Sequence, residues 1–194
     1  MLSALEDPSN TFYCLYAKTD ANSTTEDLVS YLRFKQDGDR TKLASVMAND
    51  DFQGGKMGEM LAEGAFREQQ RLGVPIYAEC DPRSGITQKY LEWGFVGLSA
   101  GEERGLKIFN IEWRGSRNAP LATTLEKMTR DEVMRRSQEA PDASRKTVFL
   151  TCPAPKEGAQ TVSLPEVERL LADGYMLTRY FTEKGTHYSV LERP

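Results

Sequence analysis

Apolar and polar positions along the chain change rhythm several times, and each change marks an element. Thr11–Lys18 (TFYCLYAK) is dense in aromatic and β-favouring residues and runs into the polar cluster TDANSTTED, so it predicts a strand and then a loop. Leu28–Lys35 and Lys42–Ala48 predict two more strands, joined at Asp37-Gly38-Asp39, and the three form an antiparallel meander. From Met57 the period lengthens. Met57, Met60, Leu61, Ala65, Phe66 and Leu72 fall on one helical face, which stops at Gly73. Val74–Cys80 follows as a strand, and the strand–helix–strand order implies a parallel pair with a right-handed crossover.

A second helix is predicted over Gly85–Trp93, closed by Gly94, and then an antiparallel pair, Phe95–Leu98 and Leu106–Trp113, joined by AGEERG. After Gly115 the character shifts. SRNAP reads as a linker, and Leu121–Gln138 as a charged amphipathic helix that Thr129 and Glu132 can restart as a capping box. EAPDASRK is a second linker-like stretch. Thr147–Cys152 predicts a strand, Ser163 and Glu166 a capping box for the helix ending before Gly174, and Met176–Thr182 with His187–Leu191 a hairpin. The expected fold class is therefore α/β with a mixed, mostly antiparallel sheet around one βαβ unit, extended by a helix and a β-α-β-β segment. The expected divisions are 1–115, 116–146 and 147–194.

Composition narrows the function. The chain has 194 residues, a formal charge of −4 and a mean hydropathy of −0.55. No apolar run reaches the length of a membrane helix, and MLSALEDPSN lacks the layout of a signal peptide, so a soluble cytoplasmic protein without membrane partners is expected. Residues 1–115 carry 13 basic and 18 acidic side chains, and the rest 12 and 11, so the acidity lies in the N-terminal part. That distribution argues against a nucleic-acid partner, which clustered Lys and Arg would announce, and suits a cationic substrate better than an anionic one. Cys14, Cys80 and Cys152 are far apart, without C-x-x-C spacing, so neither a disulfide framework nor a metal site is expected. His187 is the single histidine, which excludes chemistry built on paired histidines; lying in a predicted hairpin, it is expected at the surface.

The stretch with most chemical content is Asn49-Asp50-Asp51-Phe52-Gln53-Gly54-Gly55-Lys56-Met57-Gly58, where a strand gives way to a helix. Three glycines in five residues let backbone N–H groups turn inward, and the helix N-terminus adds partial positive charge, so the loop can hold a pyrophosphate without many cations. It is neither a P-loop nor a dinucleotide fingerprint, since neither glycine spacing is met. A tight strand–helix turn without a ligand is the competing reading of the loop alone.

Gln53-Gly54-Gly55-Lys56-Met57-Gly58 followed, one helix, one strand and one helix later, by Tyr90-Leu91-Glu92-Trp93-Gly94-Phe95 resembles the acetyl-CoA-binding region of the GNAT N-acetyltransferase superfamily. That family opens a helix with Q/R-x-x-G-x-G/A and ends the next in Tyr-x-x-x-Gly-Phe. Three departures stand out: Lys56 takes a position usually held by glycine, Arg83 stands where asparagine is frequent, and residues 1–27 leave little room for the two early helices.

The resemblance implies acetyl-CoA as cosubstrate and a primary amine as acceptor. It implies that backbone amides from Gly54 to Glu59, through Gly55, Lys56, Met57 and Gly58, cradle the pyrophosphate after Gln53, and that Met47, Ala48 and Asn49 pair with the pantetheine arm. A backbone N–H at the splayed end of Lys42–Ala48 would meet the oxyanion. Tyr90 matches the general acid for the departing thiolate, against the alternative of a packed tyrosine on the inner face of its helix. For the base, Glu79 is a candidate, with Asp50, Asp51 and ordered water as alternatives, since Lys42–Ala48 offers no carboxylate. Cys80 is expected to be a small buried residue, because no base for it stands nearby in sequence. A GNAT-shaped CoA-binding or regulatory module of little catalytic power is the second reading. Residues 147–191 could be an appended domain, an acceptor-site lid or a homodimerisation arm.

Overall fold

The computed structural model describes residues 2–18, 24–48, 57–114, 129–139, 146–154 and 164–194. The fold is mixed α/β with mostly antiparallel strand pairing, as the alternation of periods predicts, and it divides into two compact units, Met1–Ala78 and Glu79–Pro194. The division expected near Gly115 lies outside the described residues.

The first unit opens with a short helix α1 (Leu2–Leu5) and the meander β1 (Asn10–Ala17), β2 (Asp27–Asp37) and β3 (Arg40–Ala48). The turn from β2 to β3 needs a left-handed residue, and Gly38 supplies it at φ 61°. Helix α2 (Met57–Arg71) then leads to β4 (Ile76–Cys80), which begins in this unit and pairs parallel with β3. The period-2 strand and the period-3.6 helix meet face to face. Val29, Leu32 and Phe34 of β2 are buried together with Ala62, Ala65 and Phe66 of α2. Phe34 meets both Tyr13 and Phe66 edge to face, at ring-centroid distances of 5.5 and 6.1 Å. Gln69, buried on the same helix face, donates to the Tyr13 hydroxyl at 3.1 Å. Helix α2 ends where Gly73 turns to φ 72°.

The second unit takes in the end of β4 and continues with α3 (Gly85–Glu92), β5 (Phe95–Glu103), β6 (Leu106–Trp113), α4 (Arg130–Arg136), β7 (Thr147–Pro153), α5 (Pro165–Ala172), β8 (Met176–Glu183) and β9 (Thr186–Glu192). Its antiparallel pairs run β6–β5–β8–β9–β7. Phe95, Phe109, Ile111, Leu170, Leu177 and Leu191 are almost wholly buried, and Val133 of α4 closes a further cluster with Phe181 and Val190.

Several expectations need correction here. AGEERG is mostly strand: β5 runs to Glu103, and only Arg104 and Gly105, at φ 52° and 76°, form the turn. The long helix expected over Leu121–Gln138 is described only as α4, which starts as the capping box predicts, with the Thr129 hydroxyl accepting from Glu132 N–H at 3.2 Å; residues 121–128 lie outside the described residues. Helix α5 has Leu164 as its N-cap, with no side-chain hydrogen bond, and Pro165 in its first turn, while Ser163, the expected cap, lies outside the described residues. Proline at that position gives up an N–H that would lack a partner anyway. His187 is not a surface residue; it is 3% exposed, on β9.

Candidate functional site

In the first unit, the predicted strand–loop–helix junction has both its ends in place. β3 runs to Ala48 and α2 begins at Met57. Asn49, Asp50, Asp51, Gln53, Gly54, Gly55 and Lys56 lie outside the described residues. Met57, Gly58 and Glu59 form the first turn of α2, where backbone N–H groups have no partner within the helix and carry the positive end of its dipole. Met47 pairs with Tyr31 and Ala48 with Ser30 across the ladder, and the Met47 carbonyl also accepts from the Ser30 hydroxyl at 2.7 Å.

The ladder between β3 and β4 is short. Among the described residues it consists of Thr41 with Ile76 and Lys42 with Tyr77, preceded by Thr41 N–H donating to the Pro75 carbonyl at 2.8 Å. Beyond Lys42 the β3 strand continues for six residues, five of them paired to β2. On that side its register slips: Arg33 faces Ser45 and Phe34 faces Leu43, which leaves Ala44 as the extra residue of a bulge. A bulge re-aims backbone groups, and this one stands two residues past the last parallel pair. KLASVMA gives no local signal for the bulge, because neither glycine nor proline marks the place.

In the second unit, Tyr90 sits on α3. Ser84 starts this helix, its hydroxyl accepting from Ile86 N–H at 3.2 Å, and Gly94 ends it at φ 97°. Tyr90 is 7% exposed, and its ring packs against Trp93 and Phe95 at centroid distances of 5.7 and 5.5 Å. Burial pushes its phenol up to about 12, with a smaller contribution from the neighbouring Cys80. Cys80 is buried as expected, and burial pushes its thiol to about 11. Its Sγ faces the Phe109 carbonyl at 3.9 Å. A thiol held protonated in this way is no nucleophile at neutral pH.

Glu79 precedes Cys80 on β4, where burial alternates: Ala78 and Cys80 are buried and Glu79 is half-buried. Alternation sends the Glu79 side chain to the opposite face of the strand from Cys80, whereas Tyr90 lies on the Cys80 side. The two residues proposed as base and acid therefore project from different faces of this segment.

No protein-family model matches the chain, and no curated protein matches it. Solved structures do match in part. The crystal structure of Escherichia coli ElaA matches with 19% identity over 47% of this chain and 64% of its own, at a TM-score of 0.38. An acyl-CoA N-acyltransferase from Pseudomonas aeruginosa matches with 22% identity over 44% and 60%, at 0.36. The matched region spans less than two thirds of the length of either. A Bacillus subtilis acetyltransferase in complex with CoA matches with 14% identity over 57% and 79%, at 0.43.

Proposed function

We propose that this protein is a CoA-dependent N-acyltransferase of the GNAT type, moving an acetyl group from acetyl-CoA directly to a primary amine. The observation that carries the reading is the early end of the β3–β4 ladder at Lys42 and Tyr77, followed by the Ala44 bulge and by the glycine-rich junction from Ala48 to Met57. A strand edge that loses its parallel neighbour has amide and carbonyl groups to offer an extended amide chain such as pantetheine. The helix that follows offers N–H groups to a pyrophosphate. Strand edge and helix start, with the Gln53–Gly58 signature between them, suit the two ends of the CoA arm.

In the reaction the acceptor amine, once deprotonated, attacks the thioester carbonyl. The C–N bond forms, the carbonyl oxygen takes up negative charge, and collapse breaks the C–S bond to release thiolate. A re-aimed amide near Ala44 is the group we assign to the oxyanion, where donors fixed before the reaction are most effective. Tyr90 we assign to the thiolate. A phenol near 12 would give up its proton to an ordinary thiolate uphill by about 5 kcal/mol, so donating a hydrogen bond, without full transfer, is its effective contribution. Glu79 we assign to proton removal from the amine, acting through water because its side chain leaves β4 on the face opposite Cys80.

The second reading, a CoA-binding module with little turnover, draws on the burial of Tyr90 and on a β3 strand without a carboxylate. Acetyl-CoA-dependent release of free thiol, followed over a panel of primary amines with the full chain, separates the two. Amine-dependent release supports transfer. Binding of acetyl-CoA with no release over the whole panel supports the module.

A further inference from the structure

A second place for a ligand lies wholly within the second unit. A cavity of about 430 Å³ opens between the start of α3 and the β8–β9 hairpin, and its wall includes Arg83, Ser84, Gln88, Tyr180, Thr182 and His187. Its size falls in the range of small-molecule sites.

Two wall residues have polar atoms left unsatisfied. Tyr180 and His187 are each 3% exposed, with rings stacked at 5.1 Å. The Tyr180 hydroxyl and His187 Nε2 are buried, and among the described residues neither has a hydrogen-bond partner. Native interiors pair nearly all such groups, so two orphans on one cavity wall are groups that a ligand in the cavity can pair. The neighbouring polar groups are already engaged: Thr182 Oγ1 lies 2.8 Å from His187 Nδ1, Gln88 donates to Glu92 at 2.7 Å, and the Ser84 hydroxyl caps α3. When the threonine hydroxyl donates to Nδ1, Nε2 carries the proton, and the imidazole and phenol are then both donors.

The charge around the cavity fixes the sign of the ligand. Arg83 is the one charged side chain on the described wall, and it is held by Asp81 through Nε at 2.9 Å and Nη2 at 2.5 Å. The pair is close to neutral as a unit, and the N-terminus of α3 adds a fraction of a positive charge. Such a field, with no carboxylate on the described wall, suits a ligand carrying a single negative charge better than one carrying two.

We propose that this cavity binds a small carboxylate, its two oxygens received by Tyr180 and His187 with the start of α3 and Arg83 behind them. The site does not depend on the acyl-transfer reading, since every residue it uses lies in the second unit and its test requires no acetyl-CoA.

Because His187 is the single histidine, its imidazole gives one set of NMR signals, assigned without ambiguity to this site. The full chain is titrated at constant ionic strength with acetate and succinate, and separately with inorganic phosphate and with ethylammonium. The proposal expects saturable movement of the imidazole signal with a carboxylate at millimolar concentration, weakened about tenfold by Arg83→Ala and by Tyr180→Phe. Tyr180→Phe removes a hydroxyl that has no partner among the described residues, so its unliganded signal and fold are expected to persist. No saturation with either carboxylate, saturation with phosphate or ethylammonium alone, or wild-type affinity in both variants would overturn it.

Discussion

Gly97 of β5 stands directly across from Leu177 of β8, and a Cβ placed on Gly97 would lie 2.8 Å from the Leu177 Cβ. This close approach is where the β5–β6 hairpin joins the C-terminal strands in one unit. Leu177 is fully buried and cannot swing out of the way. Gly97→Ala is therefore expected to destabilise the protein by about 1–3 kcal/mol, the range for overpacking a filled core, and Gly97→Val by more. Urea unfolding checks it. A Gly97→Ala protein as stable as the parent would contradict the tight contact.

The buried thiol and phenol make stability depend on alkaline pH. In the folded chain Cys80 is held up to about 11 and Tyr90 to about 12, above their ordinary values near 9 and 10. The unfolded chain therefore loses these protons first. Stability from both groups is fully present below about pH 9 and falls as pH rises, until the folded-state groups ionise near 11 and 12. Cys80→Ala is expected to remove the earliest part of that decline. Denaturant midpoints measured from pH 8 upward for both proteins test this, and superimposable slopes would contradict it.

Helix α4 depends on its cap. It has seven residues and an N-terminal hydroxyl cap from Thr129, and it places Val133 against Phe181 and Val190. A helix that short has little stability of its own. Thr129→Ala is expected to cost about 1 kcal/mol, and Thr129→Ser to restore most of it. Equal stability of the alanine and serine variants would show that the cap is idle.

Tyr90 carries a prediction for turnover. If its phenol donates to the departing thiolate, Tyr90→Phe keeps the ring packing against Trp93 and Phe95 and lowers kcat about 10- to 100-fold, with KM for acetyl-CoA little changed. Steady-state thiol release measures both. An unchanged kcat would leave Tyr90 as a packing residue only.

Much of this was legible in the sequence because period and punctuation agree. The helical face from Met57 ends at Gly73, and the Gly85–Trp93 segment ends at Gly94; both glycines adopt positive φ. Cys80 is buried, as the lack of a nearby base in sequence implies. Other features depend on tertiary contacts that local patterns do not encode. Gly101, Glu102 and Glu103 look like loop residues, yet pairing with β6 keeps them in strand, and only Arg104-Gly105 has to turn. His187 looks like a hairpin surface residue, but the stacking of Tyr180 and the hydroxyl of Thr182 enclose it. Of the candidate site, the sequence supplies the junction and the tyrosine helix, whereas the two-pair ladder and the Ala44 bulge arise from strand register.

The central claim is that the β3 edge and the glycine-rich junction hold CoA, and calorimetry of the full chain with acetyl-CoA tests it most directly. Binding is expected to be saturable and one-to-one at micromolar to millimolar concentration, and lost when the pyrophosphate-bearing part of the ligand is removed. Absence of binding at millimolar acetyl-CoA by a folded protein would contradict it.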